Sequence, residues 1–174
     1  LLIASVTATL FSRIFWGEEV LFRFSIQDVF NYGDLPYFIL LGVLGGLVSA
    51  YFTRTYFVVS NFFERFSNPI TKILIGGGAM GALLVLFPPL YGEGYDSINN
   101  LILGNYSALL ENSPLSGFQE NLFLALLFLV AVVLVKAIAV TVTFGAGGVG
   151  GIFAPTLFMG AIVGFVFSTG INSS

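Results

Sequence analysis

The stretch of this chain richest in residues with special backbone chemistry is Gly145-Ala146-Gly147-Gly148-Val149-Gly150-Gly151-Ile152-Phe153-Ala154-Pro155. Its working groups are main-chain amides. Glycine admits backbone angles closed to other residues, so a helix can stop after Phe144 and another can start near Ile152. Pro155 fits such a restart, because the first helical turn tolerates a residue without an N–H. A helix start leaves amide donors unpaired and carries about half a positive charge, which together hold an anion. The spacing places the amides of Ile152 and Phe153 at the gap, and Gly151, Ile152, Phe153, Ala154 and Pro155 form the expected anion-binding set. The side chain of Ile152 then matters little, whereas bulk at Gly151 or loss of Pro155 moves the amides.

Other chemistries lack their residues. The 174 residues contain no Cys and no His, which removes thiol nucleophiles, disulfides, zinc-type metal sites and imidazole catalysis. An enzyme is not expected, nor is a cofactor or metal. Gly145 to Gly150 spells G-x-G-x-x-G, but a dinucleotide site needs an acidic residue about 20 positions further on to hold the ribose. No Asp or Glu follows Glu120. No Lys follows the glycines, as a P-loop requires. Six basic residues are scattered among nine acidic ones, so there is no basic stripe for nucleic acid.

Lys136 is the one charge well inside an apolar run. An ionisable residue at membrane depth is a functional candidate, here for a pore or electrostatic role. Its long stem could instead snorkel to a lipid headgroup. It lies 15 residues beyond Asn121, about 22 Å along a helix, a depth that fits both readings.

The elements that must position these groups are membrane spans. The composition is 57% hydrophobic and 9% charged, against about 25% charged in soluble domains. A lipid bilayer is the solvent that tolerates this. Helical segments are expected at 1–16, 36–66, 70–88, 121–144 and 152–168, most near the roughly 20 residues a span requires. The fold class is all-α: a polytopic transmembrane bundle with broken or re-entrant helices, residues 1–174 being part of one transmembrane domain. The sequence begins without Met and reads as an internal fragment. Glycines recur at four-residue spacing in Gly42/Gly46, Gly77/Gly81 and Gly160/Gly164, which predicts close helix–helix approach. Glu64, Glu93, Asp96, Glu111 and Glu120 fall in connections, where solvation explains them. Arg65 and Lys72 mark their turn as the cytoplasmic side.

Gly151-Ile152-Phe153-Ala154-Pro155 reproduces the GxFxP motif of the CLC family of chloride channels and proton/chloride exchangers. Gly150 through Leu157 is similar to the bacterial members beyond that minimal pattern. Lys136 matches a position where the family often has a basic residue. Pro89 with Gly92-Glu93-Gly94-Tyr95-Asp96-Ser97-Ile98 resembles the family's proline and G-x-G-Y-x-x-I stretch. The likeness covers essentially the whole chain.

The resemblance implies roughly the ninth to fourteenth helices of a subunit that moves chloride without making or breaking bonds. It further implies a homodimer with a separate pore in each subunit, in a bacterial inner (plasma) membrane. The family's GSGIP-type serine, GREGP-type gating glutamate and pore tyrosine have no match here, so channel and exchanger stay open. Glu18 and Glu19 do not take over the family's proton glutamate, which sits on the preceding helix. The alternative is a different discontinuous-helix secondary transporter, which presents helix N-termini to another anionic substrate. A bulky organic anion would need extra polar groups near the break, where only Thr141, Thr143 and Thr156 stand.

Overall fold

The computed structural model describes residues 2–16, 31–111, 113, 117 and 121–172. Glu18, Glu19, Arg23, Asp28 and Glu120 lie outside the described residues. The regular structure within them is helical throughout. The elements are α1 (Leu2–Trp16), α2 (Leu35–Glu64), α3 (Pro69–Leu86), α4 (Tyr95–Ile102), α5 (Ser107–Leu110), α6 (Leu122–Gly145) and α7 (Phe153–Asn172). Short 3-10 turns at Tyr32–Asp34 and Pro88–Leu90 precede α2 and follow α3.

Local chemistry sets most boundaries. Asn68 accepts a 2.9 Å hydrogen bond from the Ile70 amide, and Pro69 takes the first helical position of α3. Asn121 likewise accepts from the Leu124 amide at the start of α6. Both are side-chain caps for donors that a helix start would otherwise leave unpaired. α3 stops ahead of Pro88-Pro89, since the residue before a proline is pushed out of helical geometry.

α2, α3, α6 and α7 are long and apolar enough to cross a membrane. The 30 residues of α2 measure about 45 Å, more than the roughly 30 Å hydrocarbon core, so α2 tilts or projects beyond it.

α6 is the hub of the bundle. It packs against α2, α3 and α7 and buries Ala125, Phe128, Leu129, Val132, Val133, Ala137 and Ala139. The Tyr51 hydroxyl of α2 donates to the Leu134 carbonyl of α6 at 3.1 Å, a polar tie between two membrane-length helices. Two short helices add to this core. Ile98 and Leu101 of α4, with Leu109 and Leu110 of α5, join the same core as Phe158, Met159 and Ile162 of α7.

The glycine expectation needs correction. A Cβ added at Gly42, Gly46, Gly77, Gly81, Gly160 or Gly164 would meet no atom of another described element within 4 Å. Among the described residues these pairs do not bring helices together; the helices meet on other faces. Close approach occurs at single glycines instead. A Cβ at Gly76 would run into the Ala146 methyl, and one at Gly145 would lie 2.5 Å from the Phe63 ring.

Candidate anion site at the start of the last helix

α6 terminates in a Schellman motif. Gly147 has φ +98°; its N–H donates to the Phe144 carbonyl at 3.0 Å, and the Gly148 N–H donates to the Thr143 carbonyl at 2.8 Å. That bond pair satisfies carbonyls that a helix end leaves free, and it requires a residue at ease with positive φ. Gly148 is needed for space, since its Cβ would lie 2.7 Å from both the Thr143 carbonyl oxygen and Cγ2. Gly151 is different. A Cβ there would meet nothing within 4 Å, so the expectation that bulk at Gly151 displaces the amides moves to Gly148, while Gly147 is held to glycine by its positive φ.

α7 starts at Phe153, with the Ile152 carbonyl accepting the Thr156 amide at 3.0 Å. That bond makes Ile152 the cap and Pro155 the third helical residue, where a missing N–H costs no helical hydrogen bond. The amides of Ile152, Phe153 and Ala154 find no acceptor among the described residues. Ile152 is half exposed and Phe153 largely exposed.

Two cavities flank the start of α7. One of about 420 Å³ lies between α2 and the break, lined by Phe52, Thr53, Tyr56, Phe57, Phe144 and Ile152. The other, about 250 Å³, is bordered by Met80, Leu90, Tyr91, Gly92, Lys136, Thr143 and Pro155 among others. Neither lining contains a carboxylate, so no fixed negative charge on these walls opposes an anion at the amides.

Lys136 does not snorkel. Its side chain is 4% exposed, and Nζ donates to the carbonyls of Leu90 at 3.1 Å and Gly92 at 3.2 Å. The ammonium also lies 4.9 Å from the centroid of the Phe158 ring, within the range of cation–π attraction. Lys136 and Pro155 therefore share one cavity wall, yet Nζ is not among the donors at the start of α7. Sequence reasoning missed the two carbonyls. The available signal was Pro88-Pro89 followed by Gly92 and Gly94, a chain reversal that aims backbone groups inward.

The sequence matches the family model described as voltage gated chloride channel over residues 1–174. The chain belongs to the voltage-gated chloride channel family. One relative is the putative chloride channel protein ClcB-like of Ralstonia nicotianae, 27% identical over 175 residues, covering 99% of this chain and 36% of the relative. Another, the H(+)/Cl(-) exchange transporter ClcA of Vibrio cholerae, is 29% identical over 171 residues, covering 95% of this chain and 33% of the relative. Chloride channel protein CLC-f of Arabidopsis thaliana is 28% identical over 172 residues, covering 96% of this chain and 20% of that protein. The chain spans about a third of the length of the two bacterial relatives. No solved structure gives a significant match. Membership of the voltage-gated chloride channel family, with four membrane-length apolar helices, makes this an integral membrane protein.

Proposed function

We propose that the protein containing these helices moves chloride, or a closely related monovalent anion, across a membrane by holding it at the start of α7. The observation that carries this reading is the row of amides at Ile152, Phe153 and Ala154, which have no acceptor among the described residues. A helix dipole in a partly buried setting adds on the order of a kcal/mol or two to anion binding there. Such a site attracts and also releases, as conduction requires. Binding and translocation are the whole of the chemistry, and chloride is the only ligand the site needs.

Family membership supports chloride as the cargo, and relatives named as channels and as exchangers both fit. The resemblance to bacterial members supports a homodimer with one pore per subunit in the inner (plasma) membrane. The Arg65–Lys72 turn is then cytoplasmic.

A larger organic anion fits less well. The Thr141 hydroxyl is bound to the Ala137 and Ile138 carbonyls, that of Thr143 to Ala139, and that of Thr156 to Ile152 and Phe153. The side-chain groups that would recognise a carboxylate substrate are engaged within their own helices.

The test is efflux from liposomes carrying the intact protein, loaded in parallel with chloride or with small carboxylates such as acetate and succinate. Chloride should leave rapidly and the carboxylates at the rate of protein-free vesicles. Carboxylate efflux without chloride efflux would favour the other class of discontinuous-helix transporter.

A further inference from the structure

We propose that Lys136 is a positioning residue for the anion site, setting through Phe158 the height at which α7 begins. The inference rests on the amide site proposed above. Phe158 is the first buried side chain of α7; Ile152 and Phe153 are exposed and Ala154 to Leu157 only partly covered or exposed. This ring is therefore the first fully buried anchor beyond the start of the helix. Phe158 lies five positions beyond Phe153, about 7.5 Å along a rigid helix, so a shift of the ring is passed to the amides.

Two contacts hold the ring. The Lys136 ammonium lies 4.9 Å from its centroid. Gly94, with φ +89°, comes so close to the ring that a Cβ would lie 2.5 Å from Cδ2. Lys136 also governs the second contact. Its Nζ gathers the carbonyls of Leu90 and Gly92, which fixes the turn that carries Gly94. Leu90 is itself buried, so its carbonyl needs a protein donor. The partners of the ammonium are carbonyl dipoles and a ring, with no carboxylate among the described residues. Removing the cation would leave those carbonyls unpaired and release the turn and the ring together.

The test measures chloride Kd by calorimetry on the intact protein, with unfolding midpoints recorded, for wild type, Lys136→Met and Phe158→Leu. Lys136→Met should raise Kd about tenfold, as moving one amide donor out of reach of the charged ligand would. Phe158→Leu keeps the positive charge but removes the ring, and should raise Kd by about threefold or more. A lowered unfolding midpoint with unchanged Kd in both variants would reduce Lys136 to a stabilising residue and overturn the proposal. A raised Kd in Lys136→Met with wild-type Kd in Phe158→Leu would also overturn it, because the charge would then act at a distance and not through the ring. Should Lys136→Met fail to fold, Phe158→Leu decides alone: a raised Kd supports the proposal and a wild-type Kd overturns it. If the wild type binds no chloride, the amide site itself has failed, which separates the two claims.

Discussion

Gly148→Val in the intact protein should reduce chloride flux by at least about tenfold, whereas Gly150→Ala leaves it within about threefold. Gly148 donates to the Thr143 carbonyl at 2.8 Å, and a side chain there collides with that same carbonyl. The hydrogen bond and the side chain cannot coexist. Opening the closure forfeits about 1 kcal/mol per lost bond, and overpacking adds about 1–3 kcal/mol. The chain then leaves α6 in another direction, so the amides at the start of α7 no longer point where they did. At Gly150 the nearest atom to an added Cβ is Phe144 Cε1 at 3.7 Å, ordinary contact. Efflux rates, with helicity measured by circular dichroism, check the pair. Equal flux in the two variants at equal helicity would show that the geometry of the break does not matter to transport.

The second large effect concerns the donors themselves. Replacing the amide N–H of Phe153 or Ala154 with an ester oxygen removes one donor and leaves every side chain in place. Each ester should weaken chloride binding by about 10- to 100-fold, the range for a hydrogen bond to a charged partner. Truncating the half-exposed Ile152 or the exposed Phe153 to Ala should change affinity by about threefold at most, because neither side chain supplies a donor. Chloride titrations of the four variants decide. If the esters bind like wild type while a side-chain truncation abolishes binding, the backbone is not the ligand.

The interruption between α6 and α7 is legible in the sequence because its causes are local. Positive φ at Gly147 and a helix start that needs no N–H at Pro155 depend on residue type alone. The long apolar helices are legible for a similar reason: a span must satisfy its backbone internally and display apolar side chains along its whole length. α4 and α5 are not. At eight and four residues they are too short for a membrane-length pattern, and Asn99 and Asn100 within α4 make the stretch read as a connection. Four-residue glycine spacing says that a helix can be approached closely, not that it is. Which face meets a neighbour is fixed by tertiary packing, and here Gly76 and Gly145 make the contacts. The depth of Lys136 is visible in its run, but its acceptors lie 44 to 46 residues earlier in the chain. No local rule connects them.

The most direct test is to crystallise the intact protein in bromide and locate the halide by anomalous diffraction. Bromide should appear within hydrogen-bond distance, about 3.2–3.5 Å for this larger acceptor against the shorter range of oxygen acceptors, of the amides of Ile152, Phe153 or Ala154. Bromide bound elsewhere in the subunit and never within reach of those amides would contradict the account.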